Sequence, residues 1–295
     1  MKKMFIPVLA LLGMVACTNE NEPEIEISNN EPVEIKMAAA IVDVNAKTRT
    51  IAKEGEEVVI AFAKQESKTD PTNWNDAENV NAKINTDKSI TFDTPQYYST
   101  DAATNTYFIG YSPAGTLSNG IVTFTGMNGS QDIIYAEVVQ GNKNTGKVEL
   151  KPAFTHKLAQ LQFKFVKDAS FQSAATVTEI KINGTKLPES LNIANGIITY
   201  ATSTSTITAF TGATYAMGNQ DPIIPANNLI EVGINSINLD ITLSDNSKFM
   251  GIPVSLTTKE ATAHVITLTF KQAAASGSAS IGTWATEDAG NTDVQ

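Results

Sequence analysis

The sequence is poor in the residues that build most reactive sites. Its 295 residues include one cysteine, one arginine and two histidines. One cysteine cannot form an internal disulfide, and it cannot build a cysteine-rich zinc or iron–sulfur site. The formal net charge of −10 argues against a nucleic-acid-binding face. The hydrophobic fraction of 42% is too high for a chain that is disordered throughout.

Long apolar runs are also missing. Lys2 and Lys3 precede an apolar run from Phe5 to Val15, which is too short to cross a bilayer but typical of a signal-peptide core. No later stretch approaches the roughly 18 apolar residues that a membrane-spanning helix needs. We therefore expect residues 1–16 to be a signal peptide, and we do not expect the mature protein to be an integral membrane protein.

The apolar run ends in the sequence MVAC, with the only cysteine at position 17. These residues resemble the lipobox of bacterial lipoproteins, in which the cysteine becomes the acylated N-terminus. The resemblance implies that Cys17 carries lipid and holds a precursor at the outer membrane, since several acyl chains anchor a protein stably. The alternative is an ordinary signal peptide cut near Ala16, which would leave Cys17 as a free thiol.

Residues 17–34 are polar and acidic and contain two prolines, which predicts a disordered tether. The rest of the chain favours strands. It is rich in Thr (35) and Asn (25), and four Asn-Gly pairs, at 119, 128, 183 and 195, suit tight hairpin turns. Short alternating runs occur at 57–62, 107–111, 158–166, 177–182, 237–243, 249–256 and 265–270.

No window of twelve residues shows convincing helical periodicity, and strands recur at turn-punctuated intervals. The sequence therefore predicts an all-β protein with two tandem β-sandwich domains, one at 50–170 and one at 171–295. Each half is long enough to form its own core without disulfides.

Motifs for catalysis are weak or broken. The run GNKNTGK, residues 141–147, spells most of a phosphate-binding loop, but Val148 stands where a Ser or Thr should bind magnesium, so a hairpin turn is the better interpretation. His156 and His264 have neither metal-ligand spacing nor a nucleophile motif beside them. We predict no enzyme activity, no catalytic residue, no metal site and no cofactor.

Three groups of segments, in this order along the chain, resemble the fimbrillin family of Bacteroidetes type V pilins. The first group is TPQYY (94–98) with FIGYSP (108–113). The second is DIIYA (132–136) with FTHKLA (154–159) and LQF (161–163). The third is IGTW (281–284) near the C-terminal end of the sequence.

The resemblance implies two transthyretin-like β-sandwich domains and a lipoprotein precursor. It also implies that an arginine-specific protease removes the N-terminal segment together with its first strand. The opened groove would then accept a strand from another fimbrial subunit, so that copies polymerise.

The sequence contains candidates for these parts. Residues 35–49 hold a candidate removable strand followed by a polar loop. Within the strand, Ile35, Met37, Ala39 and Ile41 share one parity.

 Val42 and Val44 have the other parity, which a β-bulge or burial of both faces would reconcile.

The only arginine follows this strand, in the loop NAKTRT. A protease pocket that grips a guanidinium through a bidentate carboxylate distinguishes Arg from Lys, so such a protease could cut this chain only between Arg49 and Thr50. The alternative is that Arg49 is a solvated loop charge. For the donor strand, the C-terminal tail offers three apolar anchors, Ile281, Trp284 and Val294, although Trp284 could instead be fixed in its own domain.

These features together predict a structural pilus subunit at the cell surface that supports adhesion and biofilm formation. The alternative is a lipid-anchored adhesin or glycan-binding protein, at the tip of a fibre or never polymerised. In that case Tyr97, Tyr98, Tyr107 and Tyr111 would form an aromatic binding platform, whereas core packing is the competing interpretation of these residues.

Overall fold

A computed structural model describes residues 31–41, 57–218, 221–272 and 274–282. These residues form twenty strands and no helix, so the predicted all-β class with β-sandwich packing is confirmed. Within them, no helix is long and apolar enough to cross a membrane. The described residues from Pro32 onward belong to one compact unit.

The strands are short to medium in length and are numbered in chain order. They are β1 (Met37–Ala38), β2 (Ala40–Ile41), β3 (Val58–Ser67), β4 (Glu78–Ile84), β5 (Ser89–Phe92), β6 (Asn105–Ser112), β7 (Thr116–Ser118), β8 (Ile121–Thr123), β9 (Ile134–Gly141), β10 (Ala153–His156), β11 (Ala159–Lys167), β12 (Val177–Thr185), β13 (Pro188–Asn192), β14 (Ile197–Tyr200), β15 (Ser205–Tyr215), β16 (Leu229–Ile230), β17 (Ser236–Leu243), β18 (Lys248–Ser255), β19 (Thr262–Lys271) and β20 (Ala274–Gly282).

The largest sheet has eight strands in the order β1-β5-β4-β3-β6-β9-β10-β2. Its two outermost strands, β1 and β2, are consecutive pieces of one extended stretch, residues 33–41, which we call the lead segment. Because β1 pairs with β5 and β2 pairs with β10, the lead segment joins both edges and closes the sheet into a barrel. Closure removes the free edges that an open sheet would present.

The barrel has apolar side chains on both of its faces. In β3, Ile60 and Phe62 point into the barrel, while Ala61 and Ala63 point outward. The outward face is covered by a second sheet of four strands, β14-β13-β8-β7. A core that includes Val122, Leu191 and residues of β6 and β9 lies between the barrel and this sheet.

We call the barrel together with its covering sheet the first sandwich. The second sandwich packs two further four-stranded sheets face to face. One has the order β16-β11-β19-β20 and the other β15-β12-β17-β18. Their inward side chains form one core, and β11 shows the alternation clearly, with Leu161, Phe163 and Phe165 in that core. β11 and β19 run parallel over their whole length, whereas the other pairs in these two sheets are antiparallel.

The chain changes sheet earlier than the expected domain boundary at 170/171. It leaves the barrel after β10, and β11 then pairs with β19 and β16 of the second sandwich. In addition, β8 pairs with β13, so one sheet contains strands from both sides of the expected boundary. The boundary was predicted at the end of β11 because the composition changes there. Strand pairing depends on contacts between residues far apart in the sequence, and the local composition carries no information about them.

Two of the four Asn-Gly pairs form the predicted hairpins. Asn119-Gly120 connects β7 to β8 with both residues at positive φ, and Asn195-Gly196 lies in the loop between the paired strands β13 and β14. The other two predictions are wrong. Gly184 occupies a bulge inside β12, and Gly129 lies in the connection between β8 and β9, which do not pair.

Candidate functional site at the barrel seam

The lead segment is held in the barrel by alternate side chains. Ile35, Met37 and Ala39 point inward with 3%, 2% and 7% of their surface exposed, while Lys36 is exposed. These are the residues whose shared parity suggested a strand with one apolar face. The fourth member of that set, Ile41, ends β2.

One edge of the lead segment is hydrogen-bonded to the stretch that leads into β10. The amides of Ala38 and Ala40 donate to the carbonyls of Leu150 and Pro152, both at 2.9 Å. The Leu150 amide donates back to the Lys36 carbonyl at 2.9 Å. We call the lead segment, with its bonds to both neighbouring edges, the seam. On this side of the seam the lead segment both donates and accepts main-chain hydrogen bonds, as in a regular parallel ladder.

The other edge is bonded to β5 and to the residues after it. β1 pairs antiparallel with β5. Beyond β5, the Ile35 amide donates to the Gln96 carbonyl at 2.8 Å, and the Tyr98 amide donates to the Val33 carbonyl at 3.0 Å. The lead segment thus fills a slot one strand wide between two edges that do not pair with each other.

The inward side chains of the lead segment belong to an aromatic-rich core. Phe62 lies at its centre, with ring centroids 5.8 Å from those of Phe92 and Phe108 and 6.2 Å from that of Phe154. Ring pairs at these separations add to the burial energy. Removal of the lead segment would open this core along the slot, because the segment forms part of its wall.

The broken phosphate-loop motif at 141–147 lies at one end of the seam. It forms a turn after β9 in which the Asn142 side chain accepts hydrogen bonds from the amides of Asn144 and Thr145. A Cβ added at Gly146 would lie 2.4 Å from Val33 Cγ1. The glycine therefore lets Val33 pack against this turn.

Val33 was missed by the sequence analysis, which placed it in the tether. It has the parity of Ile35, Met37 and Ala39, and its half-buried side chain packs against the same core. Continuing the alternation two residues toward the N-terminus would have identified it. No comparable signal marked Gly146, because its contact with Val33 exists only in the folded chain.

Several predicted site residues lie outside the described part of the chain, namely Cys17, Arg49, Thr50, Trp284 and Val294. Of the tail candidates, Ile281 is described. It lies near the end of β20 opposite His264, and its side chain is 69% exposed. β20 is an edge strand whose half-buried positions include Ala275, Gly277 and Ala279.

Core packing, the competing interpretation of the four tyrosines, is confirmed for three of them, and the aromatic platform is wrong. Tyr98, Tyr107 and Tyr111 are buried, and only Tyr97, at 44%, is exposed. The Tyr111 hydroxyl donates to Asn79 Oδ1 at 2.7 Å, and burial raises the pKa of this phenol. Tyr107 and Tyr111 share one face of β6 and pack in the core between the barrel and its covering sheet, whereas Tyr98 packs in the core inside the barrel.

The two histidines lie in different sheets. His156, in β10, pairs with the Asp132 carboxylate. His264, in β19, is buried, and burial together with the nearby Lys259 lowers its pKa. No group of three or more His, Cys, Asp or Glu side chains in the described ranges could hold a metal ion.

Comparison with known proteins gives one family and a set of similar folds. A sequence profile described as Fimbrillin-like matches residues 45–284. A candidate cell adhesion protein of Bacteroides uniformis has 17% identity and a TM-score of 0.59, and the match covers 86% of this chain and 99% of that one. A candidate cell adhesion protein of Bacteroides ovatus has 14% identity and a TM-score of 0.62, covering 88% and 100%. No curated protein matches the chain. At these identities, the two structures show a shared fold.

Proposed function

This chain belongs to the Fimbrillin-like family, and on that premise we propose that it is a structural subunit of a cell-surface fimbrium. In this proposal, it is exported as an outer-membrane lipoprotein precursor, cleaved after Arg49 and polymerised by donor-strand exchange. The fibre then supports adhesion and biofilm formation. The role is structural and requires no catalytic residue or cofactor.

The observation that carries the proposal is the position of the lead segment. It fills a slot between two edges, and its side chains complete an apolar core. Ile35 and Met37 alone account for on the order of 3–6 kcal/mol of burial, at roughly 1.5–3 kcal/mol per side chain. A slot that loses such a strand binds another strand by β-strand addition, with main-chain bonds on both sides.

Arg49 has a suitable position for release of the lead segment. It follows Ile41 by eight residues in the sequence, within the polar loop NAKTRT, and it is the only arginine in the chain. A cut between Arg49 and Thr50 separates the lead segment from β3 and, with it, Cys17 and the lipid. One proteolytic event would thus free the subunit from the membrane and uncouple the lead segment from the barrel.

The donor in this proposal is the C-terminal tail of another subunit, with Ile281, Trp284 and Val294 as candidate anchors. Exposure of Ile281 at the end of an edge strand supports this choice, because the side chain contributes little to its own sandwich. A contact between the tail of one copy and the slot of the next is heterologous, so it propagates into a fibre instead of closing.

The test is substitution of Arg49 in the native host. We expect Arg49→Ala and Arg49→Lys to accumulate as unprocessed monomers and to form no fibres, while the control Lys47→Ala, in the same loop, behaves as wild type. Mass spectrometry of the mature N-terminus should find Thr50 in wild type and the acylated Cys17 in the Arg49 variants. Fibres that persist unchanged in both Arg49 variants would falsify the proposal.

A further inference from the structure

A groove runs across the outer face of the barrel, beside the β13–β14 turn of the covering sheet. It consists of two clefts of about 430 and 470 Å³, which we call the first and the second cleft. The two clefts meet, because both are lined by Tyr135, Glu137, Val138 and Asn195. Among the side chains that the structure describes, none from the lead segment lines either cleft.

A β-bulge in β9 lies where the two clefts meet. The register of β6 against β9 shifts between Phe108 and Gly110. The single residue in between, Ile109, therefore lies opposite both Glu137 and Val138. In a regular strand one of these two side chains would point into the barrel, but both are exposed and line the groove. The bulge thus presents a carboxylate and an apolar side chain next to each other.

The loop between β3 and β4 forms one wall of the first cleft through Asp70, Pro71 and Trp74. Hydrogen bonds fix this wall to the barrel. The Tyr107 hydroxyl donates to Asp70 Oδ1 at 3.0 Å, and the Asn105 side-chain amide donates to that hydroxyl at 3.3 Å. Asp70 Oδ2 has no hydrogen-bond partner among the described residues, so it is available to a ligand.

The turn between β13 and β14 forms a second wall, which Tyr135 holds in place. The Tyr135 hydroxyl donates to the Ile193 carbonyl at 2.9 Å. Gly196 has a φ of 67°, and a Cβ there would lie 2.8 Å from the Tyr135 ring, so the glycine lets the turn pack on this ring. The turn carries Ala194 and Asn195 to the groove. Because both walls are fixed by contacts within the protein, binding costs less conformational entropy.

The charges that line the groove favour a neutral ligand. The described residues of the first cleft include two acids, Asp70 and Glu137, and no cation. The second cleft is lined by two acids and two cations, namely Glu137, Glu260, Lys151 and Lys157. Lys157 already pairs with Glu260 at 2.7 Å. The groove as a whole has three acids against two lysines, which disfavours phosphates, sulfates and acidic sugars.

The polar groups of the groove suit a ligand rich in hydroxyls. The exposed side chains of Glu137 and Gln140 make no hydrogen bond within the described ranges. Asn195 Oδ1 accepts from the Ile197 amide at 3.0 Å, which leaves the Asn195 amide group as a donor. A carboxylate only accepts and an amide both donates and accepts, whereas a saccharide hydroxyl can bond to either. Val138, 51% exposed, offers an apolar contact to the C–H face of a sugar ring.

The strands beneath the groove argue against an extended peptide as the ligand. β9 pairs with both β6 and β10, and β10 pairs with both β9 and β2. A peptide that lay in the groove could not add to the sheet, because these strands have no free edge there.

We propose that the groove binds a neutral oligosaccharide. Glu137, Gln140 and Asn195 bind its hydroxyls, and its rings lie on either side of Val138, one in each cleft. The inference goes beyond the proposed function, in which adhesion has no stated receptor. It requires neither cleavage nor polymerisation, since the residues that line the groove all belong to a single uncut chain.

The test measures saccharide binding to the purified, uncut full-length protein. The protein is applied to an array of immobilised lactose, N-acetyllactosamine, maltotriose and mannotriose as neutral members, with sialyllactose, sulfated lactose and unstructured peptides for comparison. Isothermal titration calorimetry then gives the Kd of the neutral member that binds most tightly. The variants are Glu137→Ala and Gln140→Ala. Glu189→Ala is the matched control, since Glu189 is exposed on the covering sheet and does not line the groove.

We expect a neutral saccharide to bind, Glu137→Ala to raise its Kd at least about tenfold and Gln140→Ala to raise it about fivefold, while Glu189→Ala leaves it unchanged. The inference is overturned if no neutral member binds, if the acidic sugars or the peptides bind in preference, or if neither groove variant weakens binding. These results leave the proposed polymerisation standing, because it is tested separately by the Arg49 variants.

Discussion

Met37 has the smallest exposed fraction, 2%, of the three inward side chains Ile35, Met37 and Ala39 of the lead segment. Its side chain is almost fully buried in the barrel core, while its neighbour Lys36 is exposed. We expect Met37→Ala to lower the free energy of unfolding of the uncut chain by about 2–5 kcal/mol, because it leaves a cavity. Lys36→Ala should change it by less than about 0.5 kcal/mol.

Equilibrium urea unfolding of the uncut variants measures both values. Equal, small losses for the two substitutions would mean that the lead segment is only loosely associated with the barrel. In that case the slot would need no replacement strand, and the proposed polymerisation would lose its driving force.

His264 makes stability depend on pH. It is buried, its Nε2 has no hydrogen-bond partner among the described residues, and its pKa lies below the ordinary value of 6.5. The unfolded state therefore binds more protons than the folded state just below pH 6.5, so stability falls as the pH drops through this range and is unaffected above it.

We expect His264→Gln to weaken this dependence. The urea midpoint of wild type should fall more between pH 7.5 and pH 5 than that of the variant, with each protein compared to itself. The difference between the two pH dependences removes the contribution of the carboxylates, because they titrate in both proteins. Parallel pH profiles for the two proteins would show that the imidazole does not contribute.

At the scale of elements, a substitution at Ile281 can test assembly with little effect on folding. Because its side chain is exposed at the end of β20, Ile281→Ser should change the free energy of unfolding by less than about 0.5 kcal/mol. If the tail is the donor, the same variant should form fewer multimers after cleavage. Thr283→Ser is a control at a neighbouring polar position. Normal multimers from Ile281→Ser would exclude this residue as a donor anchor.

The sequence predicts elements well where alternation is local. The runs at 57–62, 107–111 and 158–166 became β3, β6 and β11, because each carries enough alternating side chains to define a strand by itself. The parity of Ile35, Met37 and Ala39 likewise identified the buried face of the lead segment. Its two partners could not be predicted, since β5 and the approach to β10 lie about 50 and 110 residues away in the sequence.

At the scale of the whole molecule, strands from both sides of the expected domain boundary pair in one sheet. β8 and β13 pair in one sheet, and Leu191 of β13 packs in the core beside the barrel. We therefore expect a single unfolding transition, in which Trp fluorescence and far-UV circular dichroism change at the same urea concentration. Leu191→Ala should shift both signals together, by about 2–5 kcal/mol.

Two transitions, with only one moved by Leu191→Ala, would indicate sandwiches that unfold separately. The expected boundary at 170/171 rested on two independent domains of ordinary size. Strands β7 and β8 are only three residues each, and nothing in their short sequences indicated a partner some 70 residues further along the chain.

The two edges of the slot have fixed and opposite directions relative to the lead segment, parallel at β10 and antiparallel at β5. A replacement that reproduces these hydrogen bonds must run in the same direction as residues 33–41. Every junction in the fibre would then have the same orientation, so the fibre would be polar, with two chemically different ends. One end would present an empty slot and the other an unused tail, and each end would need its own terminating partner.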